Sequence, residues 1–396
     1  MRYIKTILIL ALLSNCNRNR IEDSIWITED YLSCPYVFQF TEDLMWSNLT
    51  NGTFFQAYQY KIADNKLILN LISDNIFNVP MPDTLDFFIQ GDKLTIDTFS
   101  YVRIDKDVNY YQSILSKLYH GFELPCLDYD NKIERCSSNS IVIPKQQSDS
   151  IEFYINGNKL GLSNISDLGN FINHDDGLSW YTVRFLIDGS VNHETLNIIR
   201  QELRKWGLLR QDFIFNRKTK DIFYLFDTYG LATRGMPVTE NEYKEIEKLY
   251  DSDSSSNRKP LPPPPPPILF DKQIDKEKFV SIKIPNAENI IYNGDTITID
   301  RFGVDQIRQI IEKDLLIMLQ VNDKIQFSQY LDFRLKINQI QRQLRDSISL
   351  DWYKENYNNL VYEKEDSIND ITRIRLFEVN QYFDNDRELI RSKYGL

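Results

Sequence analysis

Six consecutive prolines, at residues 262–267, place the strongest restriction on how this chain can fold. Proline fixes the backbone φ angle and has no amide hydrogen, so neither a helix nor the interior of a β-sheet runs through such a tract. The polar stretch before it has no apolar side chains with which to build a core. We therefore predict a Ser/Pro-rich linker over residues 251–267, with the proline run extended over about 19 Å. Docking of this run into an aromatic groove is the alternative use of such a sequence.

The N-terminal region has a β-rich pattern. Short apolar or alternating runs such as YVFQF, KLILNLI and FSYVRI follow one another between residues 25 and 103, with polar turns such as Asn51-Gly52 between them. Short strands at this spacing are typical of an antiparallel meander. We predict a β-rich domain over residues 17–140, folded as a small sandwich or barrel, with a short helix near residues 109–118.

The phrase YKIADNKLIL in this region resembles a hairpin of small exported lipocalin-like β-domains. The resemblance implies a domain that encloses a small apolar ligand. Aromatic side chains are available to line such a cavity, although packing in a core is their commoner use. These side chains are Trp46, Phe54, Phe55, Phe87 and Phe88.

Strands alternate with helices in the rest of the chain. IEFYING, YTVRFLID and DFIFN have strand patterns, and HETLNIIRQELRKWG has Leu196, Ile199, Leu203 and Trp206 on one helical face. VSIKIP, DQIRQIIEK, LLIMLQVN and SQYLDFRLKINQIQRQLRD repeat the alternation after the linker. Such alternation indicates two-layer α/β units. The predicted fold is α+β: the β meander, a first α/β module (141–250), the linker, a second module (268–350) and a charged helical tail (351–396).

The two α/β segments have the features of an internal repeat, which points to one unit used twice. Each contains an Asn-Gly turn, a helix, a strand that ends in Asp or Asn, and a long amphipathic helix. The corresponding residues are Asn156 and Asn293, Gly157 and Gly294, Asp188 and Asn322, and Val191 and Ile325.

This order resembles the periplasmic domain of the ExbD/TolR biopolymer-transport family. The segment RFLIDGSVNHETLNIIRQELRKWGLLRQDFIF carries the resemblance, including Asp188, Val191 and Gly207, whereas the second segment departs from it at Asn322. The resemblance implies a surface for dimerisation or partner binding. Family members also have a transmembrane helix whose carboxylate takes part in proton-driven force transfer. No later apolar run of this chain approaches the roughly 20 residues of a spanning helix, so no residue inherits that role.

The first sixteen residues, MRYIKTILILALLSNC, have the pattern of an export signal: Arg2 and Lys5, then a short apolar run, then small residues. The end of this segment resembles the lipobox of bacterial lipoproteins, which implies cleavage before Cys16 and attachment of acyl chains there. An ordinary signal peptide with a cysteine nearby by chance is the alternative. Because Asn17 rather than Asp follows Cys16, the usual sorting rule favours the outer membrane, facing the periplasm.

The charge and the cysteines narrow the possible partners. A net charge of −11 disfavours nucleic acid as a partner, because nucleic-acid binding needs clustered Lys and Arg. It also leaves the acyl chains as the contact with a membrane.

If Cys16 is lipidated, three cysteines remain. Cys126 and Cys136 flank a short polar segment and are candidates for a disulfide, because an exported protein occupies an oxidising compartment. The alternative is that all three remaining cysteines, Cys34, Cys126 and Cys136, are small apolar fillers.

No catalytic motif stands out in the sequence. It has no phosphate-binding Gly-rich loop, GxSxG or HExxH pattern. His174 and His193 are placed in polar loops, where solvation is commoner than metal binding, so we expect neither a metal nor a cofactor.

We expect a non-enzymatic, lipid-anchored envelope protein that acts through protein–protein contacts, either with transport-system components or as a homodimer. The alternatives are a lipocalin-like ligand-binding lipoprotein and a hydrolase with dispersed catalytic residues.

Overall fold

The computed structural model of this protein describes the barrel, two further sheets and their helices. The described residues are 21–28, 36–49, 55–74, 83–104, 110–130, 139–146, 151–172, 182–206, 208, 210–217, 230–233, 244 and 278–381. The first sixteen residues, the linker and the end of the tail lie outside these ranges.

Eight antiparallel strands form a closed barrel, in which each strand pairs with the next and β1 pairs with β8. This confirms the predicted meander and selects a barrel over a sandwich. The strands are β1 (Ser24–Thr28), β2 (Tyr36–Phe40), β3 (Leu44–Leu49), β4 (Phe55–Ala63), β5 (Lys66–Asp74), β6 (Thr84–Gln90), β7 (Lys93–Ile96) and β8 (Phe99–Ile104).

The barrel has a buried interior in which half of the side chains are aromatic. Alternation along the strands places one set of side chains inside, as expected for a period of two. On β1, Trp26 belongs to the interior, whereas Ile25 and Ile27 belong to the main core outside the barrel. The interior side chains are Ile21, Trp26, Phe38, Phe40, Met45, Tyr58, Tyr60, Leu67, Leu69, Leu85, Phe87, Leu94, Ile96 and Tyr101.

The aromatic residues proposed to line a cavity separate into different environments. Phe87 lies inside the barrel, as predicted. The prediction is wrong for Phe88, which points outward and is 59% exposed because it alternates with Phe87 along β6. Trp46 is half-buried. The structure does not describe Phe54 or the side chain of Phe55.

A helix and a short strand connect the barrel to a six-stranded sheet. Helix α1 (Tyr110–Leu118) confirms the predicted helix, and β9 (Cys126–Leu127) follows it. The sheet has the order β12-β11-β10-β13-β14-β16, with β10, β13 and β14 parallel. Its strands are β10 (Asn139–Ile143), β11 (Glu152–Ile155), β12 (Asn158–Gly161), β13 (Thr182–Ile187), β14 (Arg210–Ile214) and β16 (Gly230–Thr233); β15 (Asn216–Arg217) pairs with β9.

Two helical segments accompany this sheet. A 3-10 helix covers Leu162–Phe171, and α2 covers His193–Lys205. The predicted apolar face of α2 is confirmed, because Leu196, Ile199 and Leu203 are fully buried.

A five-stranded sheet follows the linker, with the order β19-β18-β17-β20-β21. Its strands are β17 (Phe279–Ile284), β18 (Asn289–Tyr292), β19 (Asp295–Thr298), β20 (Leu316–Val321) and β21 (Arg375–Glu378); its helices are α3 (Val304–Glu312), α4 (Phe327–Tyr353) and α5 (Tyr362–Ile371). The sequence pattern predicted helices after residue 350 but missed β21, which pairs parallel with β20. One hydrophobic core joins the barrel's outer wall, both sheets and their helices.

Two-residue turns of similar geometry connect three hairpins. Both residues of each turn have positive φ angles, a combination that the twist of a hairpin favours and that Asn, Asp and Gly tolerate best. The turns are Asp64-Asn65, Asn156-Gly157 and Asn293-Gly294.

A glycine allows the 3-10 helix to pack closely against the end of α2. A Cβ atom at Gly169 would lie 1.8 Å from Cζ2 of Trp206. We expect Gly169→Ala to lower the free energy of unfolding by about 1–3 kcal/mol, because the Trp206 ring has to move. Urea unfolding measures the change. Gly161→Ala is the control, since its nearest neighbour would be 3.5 Å away. Equal stability of the two variants would contradict this packing.

Candidate functional site

Two loops join the six-stranded and five-stranded sheets. Residues 188–192 follow β13 and precede α2, and residues 322–326 follow β20 and precede α4. The first amides of each helix, which have no partner within their own helix, donate to carbonyls of the opposite loop. The N–H···O bonds are His193 to Ile325 (2.8 Å), Phe327 to Val191 (2.7 Å), Glu194 to Asp323 (2.9 Å) and Ser328 to Gly189 (3.1 Å). The contact is therefore reciprocal.

Each loop is held in the same turn by its first side chain. Oδ1 of Asp188 accepts the amide of Ser190 at 3.0 Å, and Oδ1 of Asn322 accepts the amide of Lys324 at 3.0 Å. Asp and Asn favour such turns because their short side chains reach the backbone two residues further on. Asp188 has a second role, because its Oδ2 accepts the amide of Glu123 from the segment after α1 at 2.7 Å.

A buried carboxylate lies behind these loops. Glu378, at the end of β21, is completely buried. Arg200 on α2 donates from Nη1 to Oε1 at 2.6 Å and from Nη2 to Oε2 at 3.3 Å. Oε2 also accepts from Nη1 of Arg334 at 2.8 Å and from the hydroxyl of Tyr330 at 2.9 Å, both on α4. Nε2 of His193 lies 3.2 Å from Oε1. We call these five residues the Glu378 cluster.

Aromatic rings enclose the charged groups of the Glu378 cluster. The guanidinium of Arg200 lies 5.5 Å from the ring centroid of Phe213 and 6.0 Å from that of Tyr330. The Arg334 guanidinium lies 5.9 Å from the Tyr330 ring, and the His193 ring is 4.6 Å from it. Cation–π contacts of this kind are stronger when water is excluded. Tyr330 thus contributes both a hydroxyl donor and a packing surface.

The hydrogen bonds of Asn197 assign the tautomer of His193. The amide nitrogen of Asn197 faces Oδ1 of Asp323 at 3.2 Å and Nδ1 of His193 at 2.9 Å. A carboxylate oxygen only accepts, so this atom is the donor, and Nδ1 accepts from it. The proton of neutral His193 is therefore on Nε2, which donates to Glu378.

The pKa values agree with this assignment. Burial lowers the pKa of His193, although the hydrogen bond to Glu378 opposes the shift. Burial alone would raise the pKa of Glu378, but Arg200, the His193 hydrogen bond and Arg334 hold it well below its usual range. Burial and the charge of Glu378 raise the pKa of Tyr330. At neutral pH the cluster contains a neutral imidazole, a carboxylate and a protonated phenol.

Asn380 extends this network to the backbone of β20. Its amide nitrogen donates to the carbonyl of Val321 at 2.8 Å and to Oδ1 of Asp323 at 3.1 Å, and its Oδ1 accepts the amide of Val321 at 3.0 Å. The carbonyl of Asn380 accepts from Nε2 of Gln201 on α2 at 3.3 Å. These bonds fix the chain after β21 against both β20 and α2.

The Glu378 cluster has catalytic residue types but no access to a substrate. General acid–base catalysis requires the proton-transferring group to come within hydrogen-bond reach of the substrate. His193, Arg200, Tyr330 and Glu378 are fully buried, and the Arg334 side chain is 13% exposed. The arrangement is therefore suited to holding the two sheets together.

The predicted site residues are not brought together. Cys126 is exposed on β9 and forms no disulfide with any residue that the structure describes. Cys136 and Cys16 lie outside the described ranges, so the disulfide and the lipidation remain predictions. The expectation that His193 is solvated is wrong, because it is the first residue of a helix whose N-terminus is covered by the opposite loop. Within the described part of the chain no group of His, Cys, Asp and Glu could hold a metal.

The Glu378 cluster was not predicted from the sequence. One signal was present: Arg200 and Arg334 each lie twelve positions after the loop residue, Asp188 or Asn322, in the proposed repeat. Arginines at matching positions on two buried helix faces need hydrogen-bonding partners there, and a shared carboxylate is one way to supply them. The sequence contains 57 acidic residues and does not single out Glu378 among them.

Comparisons with known proteins identify no relative. No protein-family model matches the chain, and neither curated proteins nor solved structures give a significant match. Among the helices that the structure describes, none combines the length and the apolar character needed to cross a membrane.

Removing the carboxylate should destabilise the fold strongly. Glu378→Leu leaves Arg200 buried without its partner, for which we expect a loss of about 3–5 kcal/mol in the free energy of unfolding. Urea unfolding measures this loss. Glu363→Leu, at an exposed position of α5, is the matched control and should change stability little. The role assigned to Glu378 is wrong if both variants lose the same amount.

Acid should weaken the fold in two steps. The folded protein keeps His193 neutral, whereas the unfolded chain binds a proton there below a pH of about 6.5, so stability falls as the pH drops through that value. Below about pH 4.5 the unfolded chain also protonates Glu378, whereas the folded protein keeps it ionised, and stability falls further. Urea unfolding at a series of pH values tests this. His193→Gln should remove the first step, and an unchanged profile in that variant would exclude His193 as its cause.

Proposed function

We propose that this chain is a non-enzymatic, lipid-anchored protein of the cell envelope that acts through protein–protein contacts beside an ExbD/TolR-type transport system. In this proposal the six-stranded and five-stranded sheets, with their helices, are two copies of one α/β module. The observation that carries it is the equivalent strand order of the two sheets.

The equivalence extends through the strands and the turns. β12-β11-β10-β13-β14 corresponds to β19-β18-β17-β20-β21, with the same parallel and antiparallel pairs. Matching backbone bonds support it. Asn156 donates to Ser140 as Asn293 does to Ser281, at 2.9 and 3.0 Å, and Asp188 donates to Ile143 as Asn322 does to Ile284, both at 2.9 Å. These matching positions support the proposal that one module is used twice.

The reciprocal loop contact then supports an internal dimer of modules. In this alignment His193 corresponds to Phe327 and Arg200 to Arg334, since each pair has the same offset from the loop. Glu378 pairs with Leu319 on the neighbouring strand, and Phe213 pairs with Phe185 in the same way. In this alignment Glu378 of the second module therefore corresponds to Phe213 of the first.

This asymmetry favours pairing within one chain. Two copies of the first module's surface would bring together two Arg200 side chains without a carboxylate. Two copies of the second would bring two Glu378 carboxylates together, which is unfavourable in a dry interface. A homodimer through this surface is therefore disfavoured. Partner proteins would use other faces of the paired modules.

The proposed lipid anchor would hold the barrel close to the membrane. Ile21 already packs in the barrel interior. Only four residues lie between it and Cys16, so the extended tether reaches at most about 18 Å. The barrel would then lie between the acyl chains and the paired modules.

Ligand binding inside the barrel is the second candidate function. An eight-stranded barrel can be filled by its own side chains or can hold one small ligand. Here the rings of Phe38 and Tyr101 are 4.9 Å apart, and those of Phe40 and Tyr60 are 5.3 Å apart. Such ring contacts between side chains of the buried interior cluster favour a packed core, and hence the protein–protein role.

Crosslinking in the native envelope tests the proposed role. Mild crosslinking and affinity capture of the full chain should recover specific envelope proteins. A surface variant of the paired modules, rather than of the barrel, should lose them. The proposal fails if no envelope protein is captured, or if the surface variant captures the same proteins as the wild type.

Acyl labelling tests the anchor separately. We expect labelled palmitate to be incorporated into the wild type and not into Cys16→Ala, because the thiol is the only attachment point in the proposal. Cys126→Ala is the control and should be labelled like the wild type. Labelling of Cys16→Ala would contradict the assignment.

A further inference from the structure

A helical hairpin projects from one edge of the five-stranded sheet. α2 ends at Lys205 shortly before β14, whereas α4 continues to Tyr353 and α5 returns the chain to β21. The base of this hairpin is fixed by Gln341, whose Nε2 donates to the carbonyl of Thr372 at 2.7 Å. The part of α4 from Gln341 to Trp352 extends about 17 Å beyond that point.

The tip of the hairpin exposes large apolar side chains. Trp352 is 53% exposed, Val361 63% and Tyr362 73%. The ring of Trp352 meets that of Tyr353 edge-on at 6.2 Å, and Nζ of Lys364 lies 5.0 Å from the Tyr353 ring. Exposed aromatic residues that are close together on one surface mark a site of interaction more often than single exposed residues do. We call residues 350–366 the hairpin tip.

Acidic residues are frequent in the sequence around these rings. Between residues 351 and 366 the chain has five acidic residues and two basic ones. The acidic residues are Asp351, Glu355, Glu363, Glu365 and Asp366. A ligand for the hairpin tip should therefore combine a surface that stacks on aromatic rings with positive charge.

The linker of this chain has that combination. Arg258 and Lys259 directly precede Pro260, Leu261 and the six prolines of residues 262–267. Proline-rich segments dock on aromatic side chains because their extended conformation is set in advance and costs little entropy on binding. We propose that the hairpin tip binds residues 258–267 of the same chain, with prolines against Trp352 and Tyr362 and the basic pair against the acidic residues.

The topology places the linker within reach. Phe279, at the start of β17, pairs with Leu316, which pairs with Arg375 at the start of β21. The chain therefore enters the five-stranded sheet at the N-terminal end of these strands, which is also the end where the hairpin returns to β21. Eleven residues lie between Pro267 and Phe279, and this stretch spans up to about 40 Å when extended, more than twice the projection of the hairpin. Tethering also gives the segment a high effective concentration at the tip.

Limited trypsin digestion tests the contact, because binding should protect the Arg258–Lys259 bond. In the full chain with both Trp352→Ala and Tyr362→Ala, we expect cleavage after Arg258 to be several-fold faster, as followed by mass spectrometry. The matched control carries Phe88→Ala and Phe99→Ala, two exposed rings on the barrel, and should be cleaved at the wild-type rate. Trp352→Phe keeps a ring and should retain most of the protection. Equal rates in all four proteins would overturn the proposal.

Dilution and fluorescence quenching test the contact between the hairpin tip and residues 258–267 in two further ways. Protection that disappears on dilution would assign the bound segment to a second copy and exclude binding within one chain. Acrylamide quenching of Trp352, measured as the difference between the wild type and Trp352→Phe, should increase when residues 262–267 are replaced by Gly and Ser. Unchanged quenching in that variant would contradict the contact even if the hairpin variants were destabilised.

Discussion

The shared carboxylate of Glu378 is the interaction on which the arrangement of the two sheets depends. A buried carboxylate is tolerated only when charged or polar donors replace its water, and here four side chains on two helices supply such donors. Arg200 and His193 belong to α2 beside the six-stranded sheet, and Arg334 and Tyr330 belong to α4 beside the five-stranded sheet. Displacing either helix would leave a charge buried without its partner.

The loop contact and the Glu378 cluster support each other. The loops satisfy the free amides at the start of α2 and α4, and so set where each helix begins. The helices then carry Arg200 and Arg334, two turns further on, to opposite sides of one carboxylate. Because one carboxylate accepts from an arginine of each helix, the contact between the two sheets is complementary rather than self-complementary.

Much of the fold follows from local sequence signals, but the site does not. Short alternating strands predict the meander, and the helical spacing of Leu196, Ile199 and Leu203 predicts the buried face of α2. Barrel closure was not predictable, because it depends on pairing between the first and last strands. β21 was missed because four residues of mixed polarity after a helix carry little strand signal. The Glu378 cluster joins residues nearly 200 positions apart, and its buried histidine has the local sequence of a solvated loop.

The central claim is that Arg200 and Glu378 are energetically coupled across the two sheets. A double-mutant cycle with Arg200→Met, Glu378→Leu and the combined variant measures this coupling by urea unfolding. We predict that the combined variant loses less free energy of unfolding than the two single variants lose together, by about 1–3 kcal/mol. The reason is that each single variant leaves one charge buried without its partner, whereas the combined variant removes both charges. Additive losses would show that the two side chains act independently and would contradict the account.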